Sequence, residues 1–260
     1  MTTTDIGWGG LAASLVLIAV AVGLSLWQRL HLGREIIWAT ARSAAQMFIV
    51  GWALKLILDP DASIVWAWLW VVAMVVFAGV TVQRRAREVP GALLIGTMAM
   101  AAVATVSLGV ILGFGIFPAE GRTIVPLAGM MIGNPMTATV VCGRRIVAGL
   151  SDNRAEVEAR LALGHSWSDA SRPYVRDAMR TALIPQIENT KALGLVFLPG
   201  AMTGLLLAGV DASDAVSVQL AIMYLILGSV AVSVTVVGLG LTRRLFTSDH
   251  RLKRVIRSAG

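Results

Sequence analysis

The sequence predicts an all-α, polytopic membrane protein of about seven transmembrane helices, and three observations carry that expectation. Of its 260 residues 57% are hydrophobic and only 14% charged, with a mean hydropathy of +0.77, whereas soluble domains carry about a quarter charged residues. Apolar runs of roughly 20 residues recur along the chain, each long enough to cross a hydrocarbon core about 30 Å thick. Charged residues fall in short loops between these runs. The net charge of +7 and pI near 10.7 therefore belong to membrane loops, and a nucleic-acid-binding face is not expected.

The first run, Trp8 to Trp27, has a tryptophan at each end, the placement of interfacial anchors. Only an acid, Asp5, precedes it, whereas a cleavable signal has basic residues before a shorter core. Further runs follow at 36–58, 63–82, 91–117, 123–147, 189–209 and 215–241. A long polar segment, 149–183, separates the fifth from the sixth, and the whole chain, 1–260, reads as one transmembrane domain.

Loop charges alternate across all of these runs. Arg29 and Arg34, then Arg84, Arg85 and Arg87, then Arg144, Arg145, Arg154, Arg160, Arg172, Arg176 and Arg180, then Arg243, Arg244, Arg251, Lys253, Arg254 and Arg257 fall on one side. Asp5, Asp59, Asp61, Glu120, Asp211 and Asp214 fall on the other with Arg122. The positive-inside rule then puts the N-terminus outside and the C-terminus inside.

Several runs carry residues that lipid-facing helices avoid. In the second, Arg42 and Gln46 lie one turn apart. Arg42 has two readings: it snorkels back to the cytoplasmic surface, or with Gln46 it faces the interior and supports a neighbouring broken helix. In the fifth, Pro126 and Pro135 bracket Gly129, Gly133 and Asn134, so a continuous regular helix is not expected there. Gly129 with Gly133, Gly109 with Gly113, and Gly200 with Gly204 form GxxxG pairs, which favour close helix approach. Met130, Met131 and Met136 crowd the break in the fifth run and Met202 lies in the sixth. Their thioethers suit soft cations or adaptable packing, and no metal site is assigned. The lone Cys142 excludes an internal disulfide and reads as a packing residue.

The polar segment reads as two helices. The first is capped by Ser151, Asp152 or Asn153, with Glu156 in capping-box position and Gly164 as the stop. The second begins at Ser168 to Ser171, has Pro173 in its first turn, and ends near Ile184 and Pro185. Along it Arg172, Arg176 and Arg180 form a basic stripe suited to lipid phosphates or a partner protein. Glu188 and Lys191, three apart, pair at the return to the membrane. The chain's three lysines, Lys55, Lys191 and Lys253, are followed by Leu, Ala and Arg, so none completes a GK[ST] phosphate loop and no ATPase site is expected in this chain.

The stretch EARLALGHS, containing Glu158, Ala159, Leu161, Leu163, Gly164 and His165, resembles the EAA-type loop with which permeases of ATP-binding-cassette transporters dock a short coupling helix on their ATPase. GMMIGNPM at 129–136, RTALIP at 180–185, KALGLVFLPGAMTGLLLAG at 191–209 and the Arg42/Gln46 pair together resemble the FetB/YbbM family of permeases, which includes the plant aluminium-sensitivity membrane subunits. His165 and Pro135 depart from its usual pattern. The resemblance implies a permease subunit, typically homodimeric, in a bacterial inner membrane. It would be paired with a cytoplasmic ATPase that binds ATP and magnesium, and would export metal ions such as iron. It implies coupling through Glu158, Ala159, Leu161, Leu163, Gly164 and His165. The path for the substrate would lie along Gly129, Met130, Gly133, Asn134 and Met136 with Pro199, Gly200, Met202 and Gly204. Arg172, Arg176, Arg180, Pro185, Glu188 and Lys191 would form the lever between the two. Two other functions fit the composition less well. A lone secondary transporter lacks matching halves and a deep acid, and an intramembrane enzyme lacks a nucleophile beside a base.

Overall fold

The computed structural model describes residues 8–57, 63–194, 198–247 and 251–253. Asp5, Asp59, Asp61, His250, Arg254 and Arg257, with the expected end of the second run at Leu58, lie outside the described residues. Within them the chain folds into ten helices and has no strand, and an isolated bridge pairs Phe246 with Leu252. It divides into two compact units, 1–62 and 63–260.

The first unit is a helical hairpin of α1 (Trp8–Trp27) and α2 (Gly33–Ile57). Its turn is tight, with Arg29 and His31 at φ 52° and 58°. Such left-handed backbone is unfavourable for non-glycine residues, and Ser25 holds it. The Ser25 carbonyl accepts from Leu30 N–H at 2.9 Å, and its hydroxyl accepts from Leu32 N–H at 3.1 Å. Most apolar side chains of this unit, including Leu17, Trp38, Met47 and Trp52, are exposed, as lipid-facing or docking faces are. Arg42 and Gln46 are exposed as well.

The second unit holds α3 (Ile64–Arg85), α4 (Ala92–Gly113), α5 (Gly121–Gly133), α6 (Pro135–Asp152), α7 (Arg154–Ala162), α8 (Trp167–Lys191), α9 (Gly200–Leu207) and α10 (Ala212–Leu245). Among the described residues four helices are long and apolar enough to cross a membrane: α3, α4, the 32-residue stretch Gly121–Asp152, and α10. They correspond to the third, fourth, fifth and seventh expected runs. The sixth, 189–209, is not one helix. α8 ends at Lys191, Gly194 takes φ +85°, Pro199 caps α9, and α9 lasts only eight residues before Gly209 at φ +84°. Glycines with positive φ end helices here as they do generally.

α10 is the axis of this unit, packing on α4, α5, α6, α8 and α9, while α3 packs on α4, α5 and α6. Met100, Ile111, Met131, Val230 and Leu241 are among the side chains buried at these contacts. The closest approach is between α3 and α4. A Cβ on Gly79 would lie 3.0 Å from Thr97 Cα, and one on Gly96 would lie 2.9 Å from Val82 Cγ1. The GxxxG pairs seen in the sequence do not have this role within the chain. A Cβ on Gly109, Gly113, Gly133, Gly200 or Gly204 would meet nothing within 4 Å, and on Gly129 only Met74 Cε at 3.7 Å.

The expected break in the fifth run is confined to one residue. Asn134 joins α5 to α6 in right-handed helical geometry, φ −62° and ψ −44°. Pro135 falls at the first position of α6, where a missing donor costs little. The Met130 carbonyl accepts from both the backbone N–H and the side-chain amide of Asn134, at 3.2 and 2.8 Å. That second bond supports the turn that Pro135 weakens, so the helix continues.

The polar segment also differs in its boundaries. α6 runs through Ser151 and Asp152, so neither caps the next helix. Asn153, the third candidate, is the N-cap residue of α7, but its side chain makes no capping bond there and donates to Gly149 carbonyl at 2.9 Å, closing α6. Ser166, not Ser168 to Ser171, caps α8 by accepting from Asp169 N–H at 3.1 Å. Pro173 therefore lies inside α8 beyond the first turn. The helix also continues through Pro185 to Lys191, because Pro185 removes a single backbone bond in a 25-residue helix.

Candidate functional site

The short helix α7 presents a bare outer face and is braced on its inner one. Val157 is fully buried and Leu161, one turn on, is half-buried against the core. Residues four apart share a helical face, so Glu158, Ala159 and Leu163 point away and are exposed, Leu163 at 80%. Of the two leucines expected on the outer surface, only Leu163 is there. Leu161 belongs to the inner face. Gly164, at φ +89°, ends the helix as the sequence indicates: His165 N–H reaches Arg160 carbonyl at 3.1 Å and Gly164 N–H reaches Leu161 carbonyl at 3.0 Å. Gly164 and His165 are exposed beside Leu163.

Three polar braces fix this helix. Glu156 accepts from Tyr174 hydroxyl of α8 at 2.6 Å and from Arg160 at 2.7 Å, so its carboxylate is turned to α8 and not to the expected capping box. Arg154 pairs with Glu158 at 2.6 Å and donates to the carbonyls of Leu252 at 2.7 Å and Lys253 at 3.3 Å. The segment after α10 is thereby folded back. Thr247 N–H donates to Arg251 carbonyl at 2.9 Å, and Lys253 N–H to Leu245 carbonyl at 2.8 Å. Phe246 and Leu252 are buried, and the Phe246 ring lies 6.1 Å from that of Trp167 at the start of α8. One guanidinium thus ties α7 to the end of α10.

The Tyr174 hydroxyl, then Arg160, holds the Glu156 carboxyl below its ordinary value. Burial first, then the Glu156 carboxylate, pushes the Tyr174 hydroxyl up. A carboxyl with a depressed folded pKa stabilises above its ordinary pKa, and that stabilisation is lost as pH falls through the folded value. The protection factor of the Val157 amide is therefore expected to be flat from neutral pH to the ordinary carboxylate range and to fall severalfold below it. Tyr174→Phe is expected to weaken this acid sensitivity, and an unaltered acid profile in that variant would contradict the brace.

The residues expected along a substrate path fall into two groups. Gly129, Met130, Gly133 and Met136 are half-buried and Asn134 exposed around the α5–α6 junction. Pro199 and Met202 are half-buried, and Gly200 and Gly204 exposed, on α9. Both groups pack on α10. Met131 is fully buried, its sulfur 3.4 Å from the Ser229 hydroxyl oxygen, which makes it a core residue. Among the described residues no three His, Cys, Asp or Glu side chains gather as metal ligands.

The lever residues have mixed surroundings. Arg172, Arg176 and Arg180 form the exposed stripe that the fourfold spacing indicates, and Arg172 lies 3.9 Å from Asp169. Glu188 and Lys191 pair at 2.9 Å, and Pro185 is exposed inside α8.

Sequence reasoning missed Arg154, Leu252, Tyr174 and Gln219. Gln219, buried in α10, accepts from Met202 N–H at 3.2 Å and anchors the start of α9. A lone glutamine inside an apolar run was its only signal. Arg154 and Leu252 had none, since their contact joins positions 98 apart.

Comparison with known proteins places these features in context. The model of an uncharacterised protein family, UPF0014, matches residues 8–246. The UPF0014 membrane protein STAR2 of Oryza sativa subsp. japonica is 37% identical over 221 residues, 85% of this chain and 77% of that protein. The probable iron export permease protein FetB of Escherichia coli (strain K12) is 32% identical over 255 residues, 97% of each chain. The protein ALUMINUM SENSITIVE 3 of Arabidopsis thaliana is 33% identical over 224 residues, 85% of this chain and 81% of that one. No solved structure matches.

Proposed function

The chain belongs to the UPF0014 family, and from that premise we propose that it is the membrane permease subunit of an ATP-binding-cassette transporter, docked through α7 on a separate ATPase. The observation that carries this reading is the outer face of α7. A nine-residue helix is held by Tyr174, Arg154 and the buried Val157, yet it presents Leu163, Ala159 and Gly164 to solvent. An apolar side chain held out on a fixed polar mount is the form of an interface anchor. Energy passes through such a contact only if the partner's two states bind it with different affinity.

In this reading ATP and magnesium belong to the ATPase, and this chain catalyses no reaction. Two copies pair in a bacterial inner membrane, with about seven spans each, N-terminus outside and C-terminus inside. Substrate passes along the α5–α6 junction and α9, and the stripe on α8 links those elements to α7. Iron is the proposed cargo because the FetB relative is named for iron export.

The test is Leu163→Glu in full-length protein reconstituted with the separately encoded ATPase. Permease-stimulated, iron-dependent ATP hydrolysis and co-purification are expected to fall roughly tenfold or more. Thermal stability of the variant should be unchanged, because Leu163 is 80% exposed. Undiminished co-purification and stimulation would overturn the proposed docking face.

A further inference from the structure

Between α4 and α10, at the end of the unit where both helices meet arginine-rich loops, lies a cavity of about 800 Å³. Ile95 and Met98 of α4 and Val236 and Leu239 of α10 form its walls, and Trp167 and Arg243 lie at its end. We infer that this groove is a specific site for one anionic phospholipid, its acyl chain along the walls and its phosphate on Arg243.

Three observations support that occupant over a general apolar contact. The walls belong to two helices long and apolar enough to cross a membrane, and Met98 and Leu239 are exposed at 55% and 71%, so the surrounding solvent for this face is lipid. Arg243 is exposed and has no acidic partner among the described residues, leaving a full positive charge at the end of an apolar groove. Aliphatic walls from two helices lead to an end that holds both an indole and a guanidinium. That arrangement matches acyl chain, interface and phosphate in a leaflet.

The geometry suits one chain. Val236 and Arg243 are seven residues apart on α10, about 10 Å along the axis, so the walls cover the upper part of an acyl chain while the rest extends into bulk lipid. Gly240 lines the groove one turn short of Arg243, facing Ile95. The floor is shared with the brace at α7, since Trp167 packs on Phe246, whose backbone pairs with Leu252. Occupancy would therefore press on the same ring pair that seats the folded-back tail. The inference needs only that α4 and α10 span a membrane, and it stands or falls separately from the ATPase reading.

The test is native mass spectrometry of the full-length chain in mild detergent with equimolar phosphatidylglycerol and phosphatidylcholine of identical acyl chains. One retained phosphatidylglycerol is expected, preferred about fivefold, the effect of one arginine near a phosphate. Arg243→Gln is expected to abolish the preference, and Arg145→Gln, which removes an exposed charge outside the groove, to leave it intact. Met98→Trp, a change at an exposed position that fills the groove, is expected to reduce retention of phosphatidylglycerol. Equal retention of both lipids by the unaltered protein would mean annular lipid only and overturn the inference. So would a preference that survives Arg243→Gln, equal losses in the two arginine variants, undiminished retention in Met98→Trp, or a dimer that excludes lipid from the groove.

Discussion

Gly79→Leu is expected to lower the midpoint of thermal denaturation of the detergent-purified protein by several degrees. The first atom added at Gly79 would lie 3.0 Å from the Cα of Thr97 and 2.1 Å from its Oγ1. A side chain can rotate away from such a contact but a backbone atom cannot, so α3 and α4 must separate along their shared face. Overpacking a tight interface costs about 1–3 kcal/mol, and Gly79 lies toward the upper part of that range because the obstruction includes backbone. Gly109→Leu provides the contrast, since Gly109 is exposed and a Cβ there meets nothing within 4 Å, and a change within about 0.5 kcal/mol is expected. Equal losses in the two variants would refute the assignment of the close approach to Gly79.

The second large effect is expected at Arg154. Arg154→Ala removes two hydrogen bonds to the carbonyls of Leu252 and Lys253 and the ion pair with Glu158. Its side chain is 35% exposed, so the loss is about 1–2 kcal/mol rather than the full strength of charged hydrogen bonds. The Lys253 N–H, bonded to Leu245 carbonyl, reports the tail directly, and its hydrogen exchange should accelerate roughly tenfold. Arg154→Lys should restore little, because an ammonium is a single point charge and the guanidinium spans two carbonyls at once. Exchange at Lys253 as slow as in the unaltered protein would show that the tail is held by other contacts.

These two residues mark where the sequence stops being informative. The long apolar helices were legible because periodicity and length are local properties, and α3, α4 and α10 match their expected runs closely. The stop at Gly164 was legible for the same reason: a glycine at C′ is a local conformational requirement. Close helix approach is a property of pairs, and the GxxxG spacing identified the wrong glycines. Gly79 and Gly96 are the pair that matters, and they stand on different helices with no spacing rule between them. Prolines misled in the opposite direction. Pro135 and Pro185 looked like stops, yet one sits at the tolerant start of α6 and the other costs α8 one bond in a long helix. In the proposed docking region the outward residues Glu158, Ala159 and Leu163 were legible from helical spacing and resemblance. The braces behind them were not, because Tyr174 and Leu252 reach α7 only through the tertiary fold.

Ser107 and Ser229 give the unit its mechanical character. Their hydroxyls, 2.8 Å apart and buried between α4 and α10, form a directional chain that ends on Leu225 carbonyl at 2.7 Å. Sliding α10 by one turn, about 5.4 Å, would carry Ser229 and its bond to Leu225 carbonyl away together and strand the Ser107 hydroxyl against hydrocarbon. α4 and α10 are thus keyed in register and move as one rigid body with the glycine-packed α3. The start of α9 is tied to that body as well, through the Met202 N–H that donates to Gln219 at 3.2 Å, so α9 cannot shift along α10 without giving up a buried polar bond.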